Sequence, residues 1–215
     1  MSENGRVRPN RPDREPMLNA PWPPAVLALL LLALYAVQDR WRAGAYVLVP
    51  VEVADGRWVG LLSSIFLHGG WAHAGLNAAF LLAFGAAVSR RFGLGAVGAL
   101  AFLLFFLVCG VLAGLGYVAV HPDGLAPVVG ASGAVAGLMG AASRLLGDGG
   151  RLDPLSAGRV VGMAVAWVIV NLFFAVFGAF PLGGGAVAWE AHLVGYGAGL
   201  LLIGPAVWLA NRVPR

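Results

Sequence analysis

There is no lysine in this chain of 215 residues, there are only 10 acidic residues, and there is one cysteine. Charged residues make up 11% against 60% hydrophobic ones, and the mean hydropathy is +0.83. That leaves too little polar surface to cover a water-soluble globule, so the composition is that of a polytopic membrane protein. All 14 cations are arginines, set at the ends of apolar runs rather than along one stripe, so the pI near 10.0 reads as membrane topology and not as a nucleic-acid site. Cys109 has no second cysteine to pair with, and its place inside an apolar run makes it a small core residue.

What is abundant is long apolar sequence. Residues 1 to about 22 are rich in Arg, Pro, Asn and acids and have almost nothing to bury, which predicts a disordered cytoplasmic tail. The run Ala25 to Val37 follows that long polar lead and closes on Gln38-Asp39-Arg40 rather than on a small-residue cleavage site, so a retained first helix over about 23–40 is expected. Further helices are expected near 70–89, 94–119, 131–147, 158–179 and 190–211, an all-α bundle of six transmembrane helices over 23–211 with a short tail at 212–215. The segment 41–68 is amphipathic and carries Trp41, Tyr46, Trp58 and Phe66, which suits the membrane interface.

Arginine placement orients this scheme. Arg6, Arg8, Arg11, Arg14, Arg90, Arg91, Arg144, Arg151, Arg159, Arg212 and Arg215 fall on one side, and Arg40, Arg42 and Arg57 on the other. The loops 120–128 and 180–188 have none. An integral, multi-pass protein with both termini cytoplasmic satisfies the positive-inside bias, and the start of the fourth helix then faces the extracytoplasmic side.

That start reads Gly130-Ala131-Ser132-Gly133. Small neighbours let the chain turn tightly and leave the Ser132 hydroxyl open, and the first N–H groups of a helix have no intrahelical partner and can hold a developing oxyanion. By itself the pattern is weak and more often marks only a small-residue packing surface. Its meaning depends on polar residues elsewhere, because a polar side chain at membrane depth costs several kcal/mol unless it is hydrogen-bonded. His73 and Asn77 stand four apart and share one face of the second helix. His192 lies about one turn into the sixth helix, at the depth of Ser132. Gly133 and Gly137 on the fourth helix and Gly195 and Gly199 on the sixth form two small-xxx-small stripes, which allow those helices to approach closely and bring Ser132 to the imidazole. A base within hydrogen-bond reach is what an otherwise poor serine nucleophile requires. His121, beside Pro122 and Asp123, reads as a solvated loop residue, Glu190 as a hydrated residue on another face of its helix, and Asn171 as an interhelical hydrogen-bonding residue without a role. A metal site from His68, His73 and His192 is the weaker chemistry, since no carboxylate or second cysteine stands at ligand spacing and Ser132 would go unexplained.

Three blocks, Leu67-His68-Gly69-Gly70-Trp71-Ala72-His73-Ala74-Gly75-Leu76-Asn77, Gly130-Ala131-Ser132-Gly133 and Ala191-His192-Leu193-Val194-Gly195 with Gly199, resemble the rhomboid intramembrane serine proteases, in that order and topology. The resemblance implies a nucleophile at Ser132, its general base at His192, an oxyanion hole from His73 and Asn77 with the Ser132 N–H, and a loop-ordering part for His68. It also implies peptide-bond hydrolysis in or beside the transmembrane helix of membrane-protein substrates within the lipid bilayer, without a cofactor, and leaves oligomeric state open. Three departures stand out. Val59 follows Trp58 where the family usually has arginine, Ser89 precedes Arg90 where a glutamate is common, and Ala136 stands where an aromatic commonly stacks under the histidine, so Tyr196 or Phe80 would have to pack there. Two other readings remain. One is a rhomboid-like protein that binds membrane clients without cutting them, although such proteins commonly lack the serine or the histidine. The other is a small transporter lined by His73, Asn77 and His192, although the inner halves of those helices are apolar.

Overall fold

The architecture is that of a computed structural model, which describes residues 20–40, 43–147, 151–178 and 186–212. Residues 1–19 of the expected tail over 1–22, residues 213–215 of the one over 212–215, Trp41, Arg42 and most of the loop 180–188 lie outside the described residues. Among the described residues every regular element is helical, and the one extended pairing is a single antiparallel bridge between Leu48 and Val128.

Helix α1 (Trp22–Val37) begins on Pro23-Pro24, where missing N–H groups cost nothing because a first helical turn has no use for them, and runs on as a 3-10 turn to Arg40. The connection that follows is built of short pieces, among them α2 (Pro50–Ala54) and α3 (Val59–Ser63). It turns Leu48, Val53, Leu61 and Ile65 inward and leaves Tyr46, Trp58, Val59 and Leu62 exposed, the one-sided pattern of a surface segment. Then come α4 (Trp71–Phe92), α5 (Ala96–Val120), α6 (Ser132–Ser143), α7 (Gly158–Phe177) and α8 (Trp189–Ala210). Five of the eight, α1 with its extension, α4, α5, α7 and α8, are long and apolar enough to cross a membrane. Large apolar side chains stay exposed along them, Leu29, Leu100, Ile169, Phe173 and Leu201 for example, which suits lipid rather than water.

The expected fourth span is where the structure departs from expectation. Instead of reaching residue 147, α6 has twelve residues, and at 1.5 Å each it is about 18 Å long against a hydrocarbon core of about 30 Å. It ends where Arg144 turns the chain: the guanidinium donates to the Asp153 carbonyl at 2.9 Å and to the Leu200 carbonyl of α8 at 3.0 Å. The Asp153 carboxylate in turn holds Arg159 at the start of α7. Ten of the twelve residues of α6 are buried, so this helix is interior to the bundle and meets α4, α5 and α8 rather than lipid.

Close approach of α6 and α8 decides the packing. A Cβ at Gly195 would overlap the Gly133 carbonyl oxygen, and one at Gly199 would overlap the Gly137 carbonyl oxygen. On the other side of α6, a Cβ at Gly133 would stand 2.5 Å from Ala113 Cβ, and Cys109 fills the space opposite Gly137. Both neighbours belong to α5, so the buried Cys109 is a small filler between backbones. Larger core residues, Leu31, Leu81, Phe102 and Phe106, pack where α1, α4 and α5 meet.

The entry to α4 is tied to α1 by a two-point clamp. Gln38 Nε2 donates to the His68 carbonyl at 2.6 Å, and the His68 N–H donates to Gln38 Oε1 at 3.2 Å. His68 itself is 1% exposed. Burial, helped by the charge on nearby His73, lowers its pKa from 6.5 to about 4.

Two tests follow from this packing. Gly199→Val places a branched side chain on the Gly137 carbonyl and should destabilise the detergent-solubilised protein by about 1–3 kcal/mol or more, while Gly197→Ala, at a position with open space, should be neutral or slightly stabilising. Equal thermal midpoints for the two variants would contradict the close contact. For His68, a folded pKa below the unfolded one means that the unfolded state binds the proton first, so stability is full above pH 6.5 and lost as the pH falls toward 4. His68→Phe should therefore show a shallower fall of thermal midpoint across that window than the parent.

Candidate active site

Local sequence puts Ser132 at the mouth of α6. Gly130 has φ of +127°, a conformation that side chains disfavour, and a Cβ there would stand 2.7 Å from Cε1 and Nε2 of His73. Glycine is thus required twice, by the turn and by the ring that leans on it. The Gly130 N–H donates to the Ser64 carbonyl at 2.9 Å, which anchors the turn to the connection between α1 and α4. Ser132 follows as the first residue of the helix, half-buried, among N–H groups that have no carbonyl one turn back.

The close glycine contact sets the distance to α8. Ser132 Oγ lies 2.8 Å from Nε2 of His192, whose residue is 8% exposed. The other ring nitrogen, Nδ1, lies 3.0 Å from Oδ1 of Asn171 on α7, and the Asn171 amide nitrogen donates to the Trp167 carbonyl at 2.8 Å. The aromatic ring against His192 is Trp167, with centroids 5.9 Å apart, and its indole N–H donates to the His192 carbonyl at 3.4 Å. Neither expected candidate holds that place: Phe80 is exposed and stacks with Phe84, and Tyr196 stacks with Trp167. With Ala136 on α6 too small to reach, the support comes from α7.

On α4, His73 and Asn77 do lie on one face, one turn apart. Nδ1 of His73 accepts a long hydrogen bond, 3.5 Å, from the Gly69 N–H, which leaves Nε2 as the protonated nitrogen on the edge that meets Gly130. Ser132 Oγ is 3.7 Å from that same Gly130 Cβ position. Asn77 is buried and spends one amide hydrogen on the His73 carbonyl at 2.9 Å, and among the described residues its second N–H has no acceptor. His68 meets His73 edge-on at 5.1 Å, but neither of its ring nitrogens has a protein partner among the described residues. What orders the chain at His68 is the Gln38 clamp on its backbone.

Two expectations for the outer rim are corrected. His121 is not simply solvated: its Nε2 lies 2.8 Å from Oε1 of Glu190, and its ring packs on Tyr117. Glu190, with a side chain only 13% exposed, is held by that pair rather than hydrated. The part of Asn171 in the site and that of Trp167 were also missed. The available signal was a lone amide in a twenty-residue apolar helix, one turn after a tryptophan, but nothing in the sequence said which face of α7 turns inward. Among the described residues no group of three or more His, Cys, Asp and Glu is placed to hold a metal ion.

Comparison with known proteins places this geometry in a family. The Rhomboid domain family model matches residues 55–208, from the end of α2 through nearly all of α8. The rhomboid protease GluP of Bacillus subtilis (strain 168) is 38% identical over 89 residues, which is 41% of this chain and 16% of that protein. A putative rhomboid protease of the same organism, YdcA, is 30% identical over 151 residues, covering 70% of this chain and 68% of its relative. The chain thus spans only a small part of the first relative and about two thirds of the second. A family match over most of the chain, and over all the helices that carry these side chains, makes this protein a member of the rhomboid family.

Proposed function

We propose that the protein is an intramembrane serine endopeptidase that cuts a peptide bond in or beside the transmembrane segment of other membrane proteins. The observation that carries this reading is the 2.8 Å separation of Ser132 Oγ and His192 Nε2 inside a helical bundle with lipid-compatible faces. His192 takes the hydroxyl proton as Oγ attacks the scissile carbonyl, then returns it to the leaving amine. The oxyanion that forms is held by the Ser132 N–H, by Nε2–H of His73 and by the free N–H of Asn77. Hydrolysis of the acyl-enzyme by water completes the cycle, and no step calls for a cofactor.

The arginine bias supports a cytoplasmic location for both termini and an extracytoplasmic mouth for the site. A substrate for such a site is a membrane helix that can unwind locally to present an extended peptide bond, which small or helix-breaking residues make cheap. The apolar inner halves of α4, α6 and α8 offer no polar path across the bilayer, which disfavours transport.

A fluorescent fluorophosphonate should label the detergent-purified parent and leave Ser132→Ala and His192→Ala unlabelled, with the thermal midpoints of the variants confirming their fold. The same two variants should lose cleavage of a transmembrane substrate in liposomes while still binding it. An unlabelled, inactive but folded parent would instead favour a client-binding rhomboid-like protein. His73→Ala and Asn77→Ala should each lower kcat about a hundred- to a thousand-fold with a much smaller change in KM, the pattern of a lost oxyanion donor.

A further inference from the structure

Helix α7 is the most exposed of the long helices, and only Val160 and Asn171 on it are fully buried. One of those two is a polar amide, which in an apolar helix demands a partner. Resting on the serine endopeptidase reading, we propose that Asn171 is the positioning residue of the catalytic histidine, fixing the tautomer and ring plane of His192 from α7. The reaction would then run through three residues on three helices, Ser132 on α6, His192 on α8 and Asn171 on α7.

The hydrogen bonds determine the direction of this relay. The Asn171 amide nitrogen is committed to the Trp167 carbonyl at 2.8 Å, so the amide cannot turn over without losing that bond, and the atom facing the imidazole is Oδ1. An amide oxygen only accepts. Nδ1 of His192, 3.0 Å away, must therefore carry the hydrogen, and the lone pair is left on Nε2, 2.8 Å from the Ser132 hydroxyl. That is the tautomer a general base needs. The opposite tautomer would put a hydrogen on Nε2 and set two lone pairs against each other at Nδ1 and Oδ1. When His192 takes the serine proton, Oδ1 still accepts from Nδ1–H and steadies the imidazolium, but as a neutral dipole rather than as a carboxylate charge.

Trp167 supports the same ring. It is one turn before Asn171 on the same face, it packs against the imidazole, and its N–H reaches the His192 carbonyl. Side chain and backbone of His192 are thereby both referenced to α7.

The test uses Asn171→Leu and Asn171→Asp in the full-length protein, followed in two ways. The first needs no catalysis: the nitrogen-15 shifts of the labelled His192 ring in micelles should report the Nδ1–H tautomer in the parent and lose that preference in Asn171→Leu. The second is the pH profile of fluorophosphonate labelling and of substrate cleavage. Asn171→Leu should lower kcat about ten- to a hundred-fold with KM little changed and move the acid limb to lower pH, because the imidazolium has lost an acceptor. Asn171→Asp, nearly isosteric, should keep activity and move the acid limb to higher pH, because a carboxylate raises the basicity of the ring. His73 and Glu190, the latter paired with His121, are the other titratable groups whose charges act on His192, and they are common to all variants.

The proposal is overturned if the parent ring carries its hydrogen on Nε2, or if Asn171→Leu leaves tautomer and rate unchanged. Should Asn171→Leu fail to fold, Asn171→Asp decides alone: a profile that does not move overturns it. A parent that shows the Nδ1–H tautomer and its loss in Asn171→Leu, yet labels with no fluorophosphonate, upholds the positioning and rejects the protease reading instead.

Discussion

Backbone contact between α6 and α8 is the constraint on which the site depends. Serine and histidine have short side chains, and two helices held at the usual 8–10 Å by ordinary side chains would leave them apart or force a strained rotamer. The pairs Gly133 with Gly195 and Gly137 with Gly199 remove that spacer, so that the carbonyl oxygens of one helix rest on the Cα atoms of the other. Contacts of that kind are individually weak, yet in a bilayer, where apolar burial does not drive helices together, close packing and polar bonds are what is left. Ser132 and His192 each sit within a turn of a glycine in the stripe, Ser132 directly before Gly133 and His192 three before Gly195. The geometry of the site and the packing of the core therefore share one cause.

A second constraint is polar accounting. Around His192 each group has a partner of the right kind: the Ser132 hydroxyl, the two ring nitrogens, and the Asn171 amide, which ends on the Trp167 carbonyl. Such a chain is costly to build among apolar helices, and an apolar core of the same shape would hold the bundle at least as well. Packing alone gives no reason for an amide at position 171, on a helix otherwise turned to lipid. Orientation of the histidine does.

How much of this was legible depended on whether the signal was local. The membrane helices were plain because an apolar run of span length has few other readings, and the shared face of His73 and Asn77 and the two glycine stripes follow from helical periodicity alone. The length of α6 was hidden because Leu145 and Leu146 continue the apolar run past the true end at Ser143, and only the bonds of Arg144 to Asp153 and Leu200 explain the stop. Hydropathy does not distinguish a short interior helix from a spanning one. The inward face of α7 was hidden for a related reason: with apolar residues all round, the helix carries no pattern to orient Asn171 and Trp167. The pairing of His121 with Glu190, 69 residues apart, is a tertiary fact with no local trace.

The shortness of α6 also has a chemical consequence. A helix that starts inside the protein must be reached by irregular chain, and beside membrane-spanning helices such chain persists only if its polar groups are satisfied by protein or by water. Residues 121–131 meet this by borrowing partners from the connection before α4: Val128 and Leu48 exchange both backbone hydrogen bonds, Val51 donates to the Gly124 carbonyl, and Gly130 donates to the Ser64 carbonyl. The segment between α1 and α4 is thus the second wall of the loop that delivers Ser132. With Val128, Gly124 and Gly130 paired there, the first N–H groups of α6 have no backbone acceptor among the described residues. They stand beside a half-buried hydroxyl and the protonated edge of His73. On the proposed protease reading, an anion forming on the attacked carbonyl is the partner that such an unfilled set of donors suits best.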